Sequence, residues 1–467
     1  MVYGNETELL NNNVIAEEEG KLKIKDLQVF KSKMVDDIVD TIILGESAHL
    51  KRLCYWITHE AAIQLVAIPS SIQTLYEARG KGQIKGFTVP AMNIRTLAYD
   101  IARAVFRSAK KINAGAFIFE IAKSEIGYTD QRPLEYASII LLAAMKEGFQ
   151  GPVFFQGDHF QVKASNYLKD KDKEISPLKE LIKESIEAGF YNIDIDSSTL
   201  VDLSKPTINE QQKLNYEVCA LFTKFMRGLQ PRGIDISVGG EIGEVGGKNS
   251  TPEEFHAFMK GYLKEVGQAK GISKMSIQTG TSHGGVVLPD GTIAKVSIDF
   301  DTLKSLSEIG KTEYGISGCV QHGASTLPNE AFHRFPEVEC SEIHLATQFQ
   351  NIVYDYLPIP LKEKIYEWLH KNCVDEKKPN QTDDQFIYKT RKKALGPFKK
   401  EIHSLSRDLR NKISAALEEE FDFLFEQLRI KDSAELIKKY ITPVTVEKNK
   451  EHFLKEEREL GKLEGAD

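Results

Sequence analysis

Apolar residues recur at three- and four-residue spacing through residues 26–44 and 46–66, so each stretch has one face to bury, and residues 1 to about 80 read as a helical layer. From Gly86 onward the pattern changes. Short β-branched and aromatic runs at 87–93, 116–122, 152–159, 191–198, 234–243, 274–283, 314–325 and 340–348 alternate with amphipathic stretches such as 96–111, 177–190, 251–266 and 299–311. Alternating strands and helices predict βα units, and eight of them in about 270 residues predict an α/β fold, a closed (β/α)8 barrel, which takes roughly 250 residues. An open doubly wound sheet is the rival, but the even spacing favours closure. After Asp355 the strand pattern stops: residues 361–467 are rich in Lys, Glu and Leu, with an apparent linker at 377–385, a long helix near 404–428 and a charged tail from Val446 that reads as solvated. The chain thus divides into an N-terminal helical extension (1–80), a barrel (81–355) and a C-terminal helical extension (356–467).

Composition narrows the function classes. The 467 residues carry 61 Lys+Arg against 68 Asp+Glu, a net charge of −7, which gives no general electrostatic footprint for nucleic acid. Five cysteines lie scattered without CxxC spacing, as reduced thiols of a cytoplasmic protein do, and a cysteine metal cluster is not expected. The N-terminus is polar and acidic, unlike a secretory signal, and no run approaches the ~18–20 apolar residues of a membrane span. A soluble cytoplasmic protein is expected, without a nucleic-acid or membrane partner.

In such a barrel the site forms where strands end, so the reactive side chains at strand ends matter most. The third predicted strand ends in Gly157-Asp158-His159, the sixth in Gly280-Thr281-Ser282-His283-Gly284-Gly285, and the seventh in Gln321-His322-Gly323-Ala324-Ser325. Three histidines therefore reach one rim from three strands, joined by Asp194 and Asp196 from the fourth and Glu241 from the fifth. Three imidazoles with an open fourth position suit a catalytic zinc ion or another divalent metal. The glycine-rich turns after strands six and seven, with Ser325, suit a phosphate held by backbone N–H groups. Asp158 directly precedes a presumed ligand, and successive strand side chains point to opposite faces unless the strand is turning. It reads equally as a proton carrier or as a carboxylate capping the next loop. A Schiff-base mechanism needs a lysine pointing into the barrel, and Lys123 and Lys274 fall at strand edges.

These motifs, in order, resemble the class II, zinc-dependent ketose-bisphosphate aldolases of the fructose-1,6-bisphosphate and tagatose-1,6-bisphosphate type. The resemblance runs over about residues 86–348 through GFTVPAMN (86–93), GDH (157–159), GFYNIDIDSS (189–198), EIGEVGG (241–247), GTSHGG (280–285) and VQHGASTLP (320–328). It implies zinc held by His159, His283 and His322, with Glu241 and Asp196 as nearby carboxylates, and Asp158 moving the proton at the bond that breaks. It further implies Gly284, Gly323, Ser325 and Thr347 on a substrate phosphate, with Asn93 and His344 also facing substrate. The implied reaction cleaves a ketose bisphosphate, by default fructose-1,6-bisphosphate, to dihydroxyacetone phosphate and an aldehyde phosphate through a zinc-stabilised enediolate.

The sequence also departs from the family. Where the last strand of the family has Asn-Val-Asp/Asn-Thr-Asp, this chain has His344-Leu345-Ala346-Thr347-Gln348, and the second strand has Glu120-Ile121-Ala122 in place of Gln-x-Ser. The loop after Glu241 is short, with Glu244 the nearest acid. An aldolase for a different sugar phosphate and a non-catalytic aldolase-like subunit are the alternatives. Helical layers at both ends suggest a homo-oligomer.

Overall fold

The computed structural model describes residues 1–10, 12–243, 247–280 and 298–455. Eight described strands form the barrel: β1 (Val89–Asn93), β2 (Ile118–Ala122), β3 (Gly151–Gln161), β4 (Asn192–Asp196), β5 (Ser237–Gly243), β6 (Lys274–Ile277), β7 (Cys319–Gln321) and β8 (Glu342–Leu345). Each pairs in parallel with the next, and β8 returns to β1 with Ile343 opposite Pro90, so the sheet closes into a (β/α)8 barrel. Every residue of β1, β2 and β4 is buried, as expected of parallel strands covered on both faces. Helices such as Ala98–Lys111, Lys171–Ala188 and Ile208–Leu229 supply the crossovers. Gly148, Gly189 and Gly315 end three of the helices in the left-handed conformation that turns the chain back toward a strand.

Strand β7 is much shorter than the 314–325 run, because Gly315 and Gly318, both at positive φ, keep its first half a turn. The segment after β7 makes two 3-10 turns and the short helix Arg334–Glu337.

The N-terminal layer is not wholly helical. Ile15–Glu18 and Lys21–Ile24 form an antiparallel hairpin around Glu19-Gly20, both at positive φ, and the short strand Ala67–Pro69 pairs with the start of β3. A two-residue turn with both φ values positive is usually signalled by Asn-Gly or Asp-Gly; glutamate in the first place hides it. The helix Gln73–Gly80 carries fully buried Tyr76 and Arg79, and the Arg79 guanidinium donates to the Cys340 carbonyl at 2.9 Å just before β8. Helix Gln73–Gly80 therefore closes the floor of the barrel.

At the C-terminal end, helix Arg407–Gln427 lies along Ala98–Lys111, fixed by Arg410–Asp100 and Arg107–Glu418 ion pairs. Part of the expected linker is helical, since Thr382 and Gln385 form a capping box opening Asp383–Thr390. The tail is also not simply solvated. Phe453, in helix Lys450–Leu454, is buried with its ring 5.3 Å from that of His59, because Val444, Val446 and Phe453 place apolar side chains among the charges.

Burial, then the nearby positive charges of Lys448 and His452, push the His59 imidazole down to about 3. Histidine in an unfolded chain takes up its proton near 6.5, so the folded state keeps this contribution above that pH and loses it as pH falls toward 3. Thermal melts of His59→Phe are expected to show a smaller loss of Tm than wild type on acidification from about pH 7 to about pH 4.5.

Candidate active site

The end of β3 is built on a bulge. Its pairing with β4 slips between Gly157 and Phe160, and His159 sits at φ +41, a conformation that costs a non-glycine residue about 1–3 kcal/mol. The extra residue breaks the strand's alternation, so two successive side chains enter the rim. Asp158 turns toward β1 and β8: its Oδ2 accepts from Asn93 Nδ2 at 3.1 Å and its Oδ1 lies 3.1 Å from His344 Nδ1. His159 turns toward β4, β5 and β7: its Nδ1 lies 3.3 Å from Glu241 Oε2 and 3.5 Å from Asp196 Oδ2, and its ring meets His322 edge-on at 4.2 Å. The Asp158 carboxylate thus meets side chains of β1 and β8.

Gly157 is what lets the bulge close, since a Cβ there would fall 2.6 Å from the ring of the fully buried Phe160. Gly157→Ala should destabilise the protein by about 1–3 kcal/mol, read as a lowered midpoint in denaturant unfolding.

Ligand atoms of His159, Glu241 and His322 lie within 4.8 Å of one another, as do those of Asp158, His322 and His344. The His322 ring stacks on His344 at 4.3 Å, and its Nε2 lies 3.1 Å from Ser276 Oγ. Asp196 is held from behind, its Oδ1 accepting from the Ser198 backbone at 3.0 Å and hydroxyl at 2.7 Å. His283, Gly284 and Glu244 lie outside the described residues.

Among the proposed phosphate groups, Gly323 at φ +67 opens the turn Ala324–Thr326. The Ser325 hydroxyl accepts from the Ala346 backbone at 2.6 Å, joining the end of β7 to the start of helix Thr347–Tyr356, with Thr347 buried. Gly323, Ser325 and Thr347 thus share one corner of the rim. Asn93 also donates to Glu125 Oε2 at 2.8 Å, and the other oxygen of Glu125 accepts from Arg95 at 2.6 Å. The side chains of Glu125 and Arg95 were not anticipated from sequence, because they follow strand ends without a motif.

Lys274 overturns its expected edge position. It is fully buried inside the barrel, its ammonium donating to Gln156 Oε1 at 2.7 Å and to Glu342, and lying 2.9 Å from Asp194 Oδ2. Asp194 therefore belongs to the barrel floor and not to the His159 cluster.

Electrostatics divides these groups. Burial alone would raise Asp158, but His159, His344 and His322 together hold its carboxyl well below the usual range. Burial pushes Glu120 well above it, with Asp158 and Glu342 adding repulsion. Glu241 is pushed up to about 7 by burial and by Asp196.

A family model described as fructose-bisphosphate aldolase class-II matches residues 73–419, well over half of the 467. The chain belongs to this aldolase family. As a class II aldolase it is a carbon–carbon lyase acting on a phosphorylated sugar, and its family is metal-dependent. The matched stretch takes in the floor helix Gln73–Gly80 and runs beyond the barrel to residue 419. No curated protein matches the aldolase by sequence. Among solved structures it is similar to a protein from Sinorhizobium meliloti named a probable tagatose 6-phosphate kinase, at 12% identity and TM-score 0.54 over 74% of this chain and 100% of that one, a likeness of fold alone. It is also similar to fructose-bisphosphate aldolase from Campylobacter jejuni, at 16% identity and TM-score 0.48 over 79% of this chain and 99% of that one. A protein from Coccidioides immitis assigned as a fructose-1,6-bisphosphate aldolase is similar at 16% identity and TM-score 0.47, over 78% of this chain and 97% of that one. Among the described residues no helix is long and apolar enough to cross a membrane.

Proposed function

We propose that this aldolase cleaves a ketose bisphosphate, fructose-1,6-bisphosphate by default, to dihydroxyacetone phosphate and an aldehyde phosphate. The observation that carries the reading is the convergence of His159, His322 and Glu241 on one point of the rim with Asp158 beside them. Two imidazoles and a carboxylate with mutually close ligand atoms fit a divalent ion, zinc being the expected one, with His283 as the third imidazole. When bound there, the ion supplies Lewis-acid polarisation of the ketose carbonyl.

The protein's own residues do the rest. Asp158, ionised and aimed by Asn93 and His344, takes the hydroxyl proton next to the carbon–carbon bond that breaks. The electron pair of that bond passes to the ketose fragment, whose carbon takes up one proton from water to give dihydroxyacetone phosphate, and condensation runs the same transfers in reverse. Gly323, Ser325 and Thr347, with Gly284, hold a phosphate through backbone N–H groups and hydroxyls. Asp196 keeps His159 turned into the rim.

The altered groups favour a second reading, in which the sugar phosphate differs from fructose-1,6-bisphosphate. His344 is a buried ring where the family has asparagine, and Ala346 offers only its backbone N–H, already given to Ser325. An assay of triose-phosphate release from fructose-1,6-bisphosphate, tagatose-1,6-bisphosphate and fructose 1-phosphate separates the two. The default reading expects the highest kcat/KM on fructose-1,6-bisphosphate; a preference of tenfold or more for another ketose supports the second. The same reading carries a homo-oligomer in the cytoplasm, and native mass spectrometry reads the assembly.

A further inference from the structure

Barrel interiors are ordinarily filled by branched apolar side chains. The floor of this one is charged. Glu342, the first residue of β8, is fully buried; its Oε1 accepts from the Lys274 ammonium and lies 2.7 Å from His344 Nε2, and its Oε2 accepts from the Tyr76 hydroxyl on the floor helix. Buried charges are costly unless paired, and β5 leaves room for the Lys274–Asp194 pair by carrying a glycine beside it. A Cβ on Gly239 would fall 2.3 Å from Asp194 Oδ1 and 3.1 Å from Lys274 Cε. The other edge of the His344 ring faces Asp158 Oδ1 at 3.1 Å, and its flat face lies on His322. A line of contacts therefore runs from Lys274 and Tyr76 through Glu342 and His344 to Asp158 at the rim.

An imidazole gripped at both nitrogens has its ring rotation fixed. We infer that Glu342, anchored by Lys274 and Tyr76, is a positioning residue that sets the His344 ring against Asp158. The catalytic carboxylate is thereby aimed from the barrel floor. The kinetic part of this inference rests on the proposed cleavage.

The test is a double-mutant cycle on the metal-loaded full chain. Glu342→Gln should lower kcat about tenfold or more with KM changed by less than about twofold, and His344→Ala should lower kcat at least as far. If Glu342 acts through His344, adding Glu342→Gln to His344→Ala should change kcat by less than about twofold. Two independent, multiplying losses would overturn the inference. Glu342→Gln leaves Lys274 short of one carboxylate, so Lys274→Met/Glu342→Gln serves as a second variant. It is expected to stay folded with kcat still low, whereas recovery of wild-type kcat would show that charge imbalance and not ring position was responsible, and would overturn the inference. A readout that needs no turnover is the imidazole NMR signal that disappears in His344→Ala. It should shift or broaden in Glu342→Gln, and an unchanged signal there would contradict the inference. A wild-type protein that cleaves no ketose phosphate defeats the proposed function instead, leaving the ring signal to decide this point.

Discussion

Asp158→Asn is expected to lower kcat for ketose-bisphosphate cleavage by about 10²–10⁴-fold, the usual contribution of a positioned general acid–base group. The amide has nearly the same shape and can still meet Asn93 and His344, which lie 3.1 Å from the two carboxylate oxygens. What it loses is the ability to take a proton. KM and bound metal should therefore stay close to wild type, while Tm falls modestly at neutral pH because the ionised carboxylate no longer faces His159, His344 and His322. Steady-state kinetics, elemental analysis and thermal melts of one preparation check all three. A variant with wild-type kcat would return Asp158 to the role of a structural carboxylate.

The second large effect is expected from His322→Ala. His322 stands at the centre of the site, its ring edge-on to His159 at 4.2 Å and stacked on His344 at 4.3 Å, and it belongs to two of the close ligand groups. Removing it takes away one of the imidazoles that fit a metal, and metal polarisation is worth several kcal/mol at the transition state. The expected result is loss of stoichiometric metal together with a fall in kcat/KM of roughly 10³-fold or more. The β strands do not depend on this side chain, so the far-UV spectrum should be unchanged. Retained metal in the variant would leave His159, His283 and Glu241 as the ligand set and remove His322 from it.

Much of the barrel was legible because its strands are buried on both faces and its helices on one, so the two periodicities alternate cleanly from Val89 to Leu345. Three features escaped for physical reasons. The hairpin at Ile15–Ile24 turns on Glu19-Gly20, whose glutamate gives no turn signal. Both Asp158 and His159 enter the site only because a bulge interrupts the two-residue period, and a bulge is set by how β3 meets β4. Lys274 looked like an edge residue because a charge at a strand's start normally meets water. Its partners Asp194, Gln156 and Glu342 come from three other strands, which no local pattern can show. The residues of the candidate site could be named from sequence because they stand at the ends of predicted strands, the three histidines among them in the glycine-containing runs at 157–159, 280–285 and 321–325.

The central claim is that a metal held at the His159–His322 rim is required for carbon–carbon cleavage of a ketose bisphosphate. The most direct measurement takes purified protein through metal analysis and a fructose-1,6-bisphosphate cleavage assay, before chelation, after it, and after zinc is restored. The account predicts about one metal ion per chain, activity abolished by the chelator, and activity returned with zinc. Undiminished cleavage by metal-free protein would contradict it.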